Sequence, residues 1–176
     1  NVADFKFNQP GTFLAYTVDA ADKAGNGLFL LDLERGILVA LDSGEADYAH
    51  PTWDEPGTAL AALKGTKAKE NKEKDNILLA FTGIGTQELT EHRYDPAEDD
   101  SFPEDMVISE KAASSRSGFR RSSSPARGNL FWSEDATQIF CGIKEQEKVP
   151  EKPAEDAIPP ADVDVWHWRD EYLQSV

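Results

Sequence analysis

The chain has three histidines (His50, His92 and His167) and one cysteine, Cys141, in 176 residues. None of them falls in a His-x-x-x-His or Cys-x-x-Cys spacing, so they cannot assemble a structural zinc site, which needs several converging N or S ligands. A lone thiol forms no intrachain disulfide, and the cysteine count leaves the redox compartment open. His167 alternates with Trp166 and Trp168. On a strand it would face away from both indoles, which is a packing position rather than a ligand position.

Carboxylates are abundant, yet no pair stands out as a general acid and base. Asp95, Glu98, Asp99 and Asp100 read as a solvated acidic loop. The stretch from Asp19 to Gly27 sets acidic residues near glycines but lacks the spacing and closing Glu of a calcium loop, and it reads as a hairpin turn. Gly83-Ile84-Gly85 is too short for a dinucleotide fingerprint, and no helical pattern follows it. No Gly-x-Ser-x-Gly nucleophile elbow occurs. Arg116, Arg120, Arg121 and Arg127 form a small basic cluster in a Ser-rich stretch whose composition reads as a disordered insertion. The expectation is no catalytic, cofactor or metal residue in this chain, and no cofactor.

The formal net charge is −15. Binding of nucleic acid needs a basic footprint, so the whole surface argues against it. The acidity itself speaks to solubility and self-repulsion. No apolar run approaches the roughly 18 residues of a membrane helix, so no membrane partner is expected. The start, Asn1-Val2-Ala3-Asp4, has neither Met nor a basic leader, and the reading expects a processed protein or an excised fragment. With 39% hydrophobic residues and four Trp, the chain has the material for a core.

That core is organised by a repeat. Phe7-Asn8-Gln9-Pro10-Gly11-Thr12 can be laid over Trp53-Asp54-Glu55-Pro56-Gly57-Thr58, with an apolar run after each. A third copy, Trp132-Ser133-Glu134-Asp135-Ala136-Thr137, has Asp-Ala where the others have Pro-Gly. The aromatics are separated by 46 positions (7 to 53) and then by 79 (53 to 132), so the third copy needs an insertion before it. Strand-like runs follow each copy: Gly27–Leu33 and Ile37–Leu41, Asn76–Thr82 and Gln87–Glu91, then Asp162–Trp168. Gly36 in mid-pattern suits a hairpin turn and breaks a helix reading of Leu28–Leu41.

Units of about four short strands in roughly 40–50 residues match a β-propeller blade. The predicted fold is all-β, a partial β-propeller of about three four-stranded antiparallel blades with long loop insertions. The approximate blades are residues 1–48, 49–110 and 129–176, with 111–128 a low-complexity insertion. Phe7, Trp53 and Trp132 are expected to wedge between neighbouring blades as core. Lys64–Asp75, Ser114–Gly128 and Lys144–Pro160 are predicted loops. Since propellers close with about 4–8 blades, blades are expected to be missing from this chain. Open blade edges also invite self-association.

The aromatic–Ser/Asp–Glu–Pro/Asp–Gly/Ala turns, the segment Ser101–Ser109 and the ending Asp162-Val163-Asp164-Val165-Trp166-His167-Trp168-Arg169-Asp170-Glu171 resemble the β-propeller of the prolyl oligopeptidase-like (S9) serine peptidases. More broadly the repeats are similar to those of TolB-type propellers. The resemblance covers the chain, and the Ser114–Gly128 insertion departs from it. It implies a non-catalytic scaffold and substrate gate for an α/β-hydrolase domain of the same parent, which this chain lacks. The partners implied are that domain and the parent's peptide substrate, in the bacterial cytoplasm or periplasm. The competing reading is a TolB-like module for protein–protein binding.

Overall fold

A computed structural model describes residues 1–111 and 129–149. The expectations for Ser114–Gly128 with its arginines, for the end of the Lys144–Pro160 loop, and for Asp162–Glu171 with His167 lie outside the described residues.

Eight strands form two four-stranded antiparallel meanders. The first joins β1 (Val2–Phe7), β2 (Phe13–Val18), β3 (Gly27–Asp32) and β4 (Ile37–Ser43) in sequence order. The second joins β5 (Asp47–Trp53), β6 (Leu60–Thr66), β7 (Asp75–Thr82) and β8 (Thr90–Tyr94) in the same order. Beyond them come two-stranded ladders: β9 (Met106–Ile108) with β12 (Ile143–Glu145), and β10 (Leu130–Trp132) with β11 (Ile139–Cys141). The single helical turn among the described residues is the 3₁₀ segment Pro96–Glu98.

The units stack face to face and fan outward. β5 lies between β1 and β10, while β4 and β8 make no comparable approach. First strands that converge and fourth strands that diverge are the arrangement of a β-propeller, and the chain is a partial one. Two cores follow from this stacking. Ala15, Leu28 and Leu30 of the first sheet meet Trp53, Leu60, Ala62, Leu79 and Phe81 of the second. On the second sheet's other face, Ala61, Leu63 and Leu78 meet Ile108 and Leu130. Leu60-Ala61-Ala62-Leu63 is therefore buried at every position, because alternate residues serve different cores and both faces are covered.

Four local expectations are corrected. Phe7 is 52% exposed rather than core, because no described sheet covers its side of β1. The fourth strand of the second sheet starts at Thr90, not Gln87. The turn before it is wide: Gly83 and Gly85 have φ of 76° and 85°, and buried Ile84 is pinned by its N–H to the Thr58 carbonyl at 2.9 Å. Met106–Ile108, within the segment read as a connection, is a strand, and Val107 and Ile108 are buried. Ile143–Glu145, at the start of a predicted loop, is its partner strand. The interior of the predicted Lys64–Asp75 loop, between β6 and β7, docks on β12 and the residues directly after it. Lys72 Nζ lies 2.6 Å from Glu147, Lys144 Nζ lies 2.7 Å from Glu73, and Asn71 bridges to Lys148.

Candidate functional site

One device joins the units. Trp53 Nε1 donates to the Lys6 carbonyl at 3.0 Å, and Trp132 Nε1 donates to the Thr52 carbonyl at 3.0 Å. Each acceptor is the residue just before the preceding unit's own aromatic. The indole thus buries a large apolar surface and satisfies a backbone carbonyl across the joint. Phe7 holds the equivalent position, but a phenyl ring has no N–H to donate.

A side chain that the sequence reading passes over shapes each turn. Asn8 Oδ1 accepts from Thr12 and Phe13 N–H, both at 2.9 Å. Asp54 Oδ1 accepts from Thr58 and Ala59 N–H at 2.8 and 2.9 Å. Ser133 Oγ accepts from Gln138 N–H at 2.9 Å. These side chains bond the backbone four or five residues on and so close each turn from within, and their signal is the Asn, Asp or Ser directly after each aromatic. Asn8 also donates to the Gly57 carbonyl at 3.2 Å, tying the first turn to the second. The ladder registers make Asn26 and Asn76 equivalent as well. Each is 4% exposed or less, and each points Nδ2 at a carbonyl of the segment leading onward, Ala46 at 2.9 Å and Ile108 at 2.7 Å.

Charges gather at the same joint. Lys23 and Lys74 both pair with Asp47, and Lys74 reaches Glu110 at 3.1 Å. Burial pushes the Asp47 carboxyl up, but the two ammonium groups outweigh it and hold it below its ordinary value. Close by, Lys64 donates to Asp42 at 2.7 Å and sits 5.5 Å above the Tyr48 ring. Burial, then the hydrogen bond to Asp42, raise the Tyr48 hydroxyl.

Two larger surfaces are left uncovered among the described residues. The first is the outward face of the first sheet. Its cross-strand rows are Phe5–Tyr16–Phe29–Ala40 and Phe7–Leu14–Leu31–Leu38. Tyr16 and Phe29 stack at 5.4 Å, while Phe5 and Leu38 are 61% and 55% exposed. The second is a cavity of about 450 Å³ at one end of the second sheet. Thr66, Asp75, Asn76 and Ile77 form one wall; Asp95, Pro96 and Ala97 form another; the stretch from Phe102 to Val107 closes it.

The structure does not bring the titratable residues singled out in the sequence to one place. His50 sits exposed on β5 at φ 56°, within a register shift between Ala49 and Thr52. His92 lies on exposed β8, 3.3 Å from Thr82 Oγ1. Cys141 is half-buried against the second core, which pushes its thiol up. Among the described residues no group of three His, Cys, Asp or Glu could hold a metal ion. The acidic loop is more built than a solvated run. Asp95 caps the 3₁₀ turn through Ala97 N–H at 3.1 Å and pairs with Arg93 at 3.0 Å. Asp99 accepts from the Tyr94 hydroxyl at 2.7 Å, a bond that pushes that phenol up to about 12. In Asp19–Gly27, Lys23 and Gly25 take positive φ and buried Asn26 closes the hairpin.

No family model and no curated protein matches the chain. Among solved structures it is similar to TolB from Acinetobacter baumannii, at 13% identity and a TM-score of 0.36, over 79% of this chain and 37% of that one. The chain thus spans well under half the length of that protein.

Proposed function

We propose that this chain is a non-catalytic run of propeller blades whose role is to scaffold and to bind. The observation that supports it most directly is the equivalence of two faces. The row Phe7–Leu14–Leu31 of the first sheet corresponds by register to Trp53–Leu60–Phe81 of the second. The latter is buried on a neighbouring sheet, with Leu60 at 0% and Phe81 at 2% exposure. The first sheet carries the same kind of surface, uncovered among the described residues. An apolar face of this extent serves as an interaction surface, and a further blade is the occupant its shape suits.

In the finer reading, the parent is a prolyl oligopeptidase-like serine peptidase, and these blades gate substrate entry to its hydrolase domain. Support for it is the resemblance of the turns and of Asp162–Glu171. Sequencing the parent gene on both sides of this segment tests it. Expected are further repeats upstream and a Gly-x-Ser-x-Gly elbow with later Asp and His downstream. A gene that closes the propeller and then ends, or joins a non-hydrolase domain, overturns the peptidase reading and favours a TolB-like binding module. A gene without further repeats overturns the blade-partner reading as well.

A further inference from the structure

We infer that the free edge of β4, with the groove beside it, is a docking site for an extended, uncharged, apolar segment of a partner protein, added as a fifth strand to the first sheet. This surface lies at the outer rim, apart from the outward face of that sheet, and it stands whether or not a further blade covers that face.

The two fourth strands differ in a way that points to it. Among the described residues β4 pairs only with β3, and β8 only with β7. Alternate backbone N–H and C=O groups of each strand therefore point away from its sheet, a template for one more strand. The edge of β8 is blunted by charge: Thr90-Glu91-His92-Arg93-Tyr94 sets three ionisable side chains there. The edge of β4 is not. Ile37-Leu38-Val39-Ala40-Leu41 carries no charge, and Ile37, Leu38 and Val39 are 52%, 55% and 41% exposed. Its register shift falls between Ala40 and Asp42, so the bulge bends only the far end and leaves residues 37–40 as regular edge.

The groove says what the added strand must carry. It has about 180 Å³ and lies between β4 and the β7–β8 turn. That is too small for a typical small-molecule site and suits one branched apolar side chain. Ile37, Val39 and Leu89 flank it, and buried Leu30 and Ile84, with Phe13, lie at its base. Leu30 and Ile84 belong to the core between the first two sheets, and Phe13 packs against that core. The groove is thus the outer end of an interface already formed, left open where the sheets diverge. Asp32 and Arg35, the two charged residues that line it, pair with each other at 3.5 Å, so it calls for no charge on the occupant. A strand laid on β4 meets both demands. Its backbone completes the ladder, and its alternate side chains point the same way as Ile37 and Val39, into the groove and onto the existing core. A helix would leave the edge groups of β4 unpaired.

The test is fluorescence-polarisation titration of the full chain with a labelled, end-capped Thr-Ile-Thr-Leu-Thr peptide. Beside it run two N-methylated versions, one methylated at the apolar residues and one at the threonines. Only one set of N–H groups can face β4. Expected is saturable binding with a Kd below about 1 mM, weakened at least about tenfold by one methylation pattern and kept in the other, as loss of ladder hydrogen bonds implies. Val39→Lys, which gives β4 a charged edge like that of β8, should abolish binding. Leu89→Ser, on the exposed turn across the groove, should weaken it about fivefold through lost apolar contact, and it guards against a folding defect in the first variant. His92→Lys adds the same charge to the edge of β8 and should leave affinity unchanged. Absence of saturable binding, equal loss with both methylated peptides or with neither, or loss in His92→Lys equal to that in Val39→Lys overturns the proposal. Affinity unchanged in Val39→Lys or in Leu89→Ser places the peptide elsewhere and overturns it too. A concentration-dependent dimer that Val39→Lys abolishes, with no peptide bound, overturns it in favour of a second copy on the same edge.

Discussion

The first and second sheets have the same strand order, the same antiparallel ladders and the same turn chemistry, yet they experience opposite environments. Among the described residues the first is covered on one face, the second on both. Equivalent residues are therefore not energetically equivalent. Leu31 is half-buried, whereas its counterpart Phe81 is 2% exposed. Gly11 has open space around it, whereas its counterpart Gly57 is pressed by Asn8 and Pro10 of the neighbouring unit. Place in the stack, rather than local sequence, sets the worth of a side chain in this fold. This is the nearest-neighbour behaviour of repeat proteins.

Paired substitutions sharpen that contrast. The largest effect is expected at the doubly covered sheet. Phe81→Ala should destabilise by about 3–5 kcal/mol in urea unfolding, and the equivalent Leu31→Ala by only about 1 kcal/mol. Equal losses would break the comparison. Next come the turn glycines. Both Gly11 and Gly57 have left-handed backbones, φ 74° and 76°. Alanine at either costs about 1–2 kcal/mol through φ alone. At Gly57 an added Cβ also meets Pro10 Cδ at 2.9 Å and Asn8 Cβ at 3.0 Å. Gly57→Ala should accordingly lower the urea midpoint more than Gly11→Ala does.

The third turn reverses the sign. Ala136, aligned with those glycines, also has positive φ, 53°. Ala136→Gly should stabilise the third unit by up to about 1 kcal/mol, read as slower amide exchange across the β10–β11 ladder. A loss of protection would show that the turn does not share the geometry of the other two. The smallest effect belongs to the charged joint. Asp47 is held below its ordinary value of 3.8 in the folded state. The stability it contributes is complete above that value and is lost as pH falls through the lower folded value. The pair is partly exposed, so the difference between wild type and Asp47→Asn should be under about 1 kcal/mol at neutral pH and vanish in acid.

Much of this was legible in the chain itself. The aromatic–turn–apolar repeat locates β1–β2, β5–β6 and β10–β11, because turn residues such as Pro-Gly act through local backbone geometry, although the Asn8, Asp54 and Ser133 side chains that close these turns went unread. The β3–β4 hairpin follows from Gly36, whose φ of 67° a helix could not accept. Phe7 shows where such reading stops. It aligns with Trp53 in sequence, but burial depends on what lies across the face, and nothing local encodes that. The short strand β9 escaped for a similar reason, since its partner Ile143–Glu145 lies far along the chain. The groove beside β4 was equally hidden. Val39 and Leu89 are ordinary apolar residues until β4 and the β7–β8 turn bring them around one space.

Sequence alone determined the all-β class, the unit of repetition and the turn chemistry, since each rests on interactions between residues a few positions apart. Only the tertiary structure decided which apolar faces are covered, which carbonyls the indoles of Trp53 and Trp132 reach, and where a groove such as the one beside β4 is left. Those outcomes depend on contacts between sheets, and the free energy of a contact belongs to both partners at once.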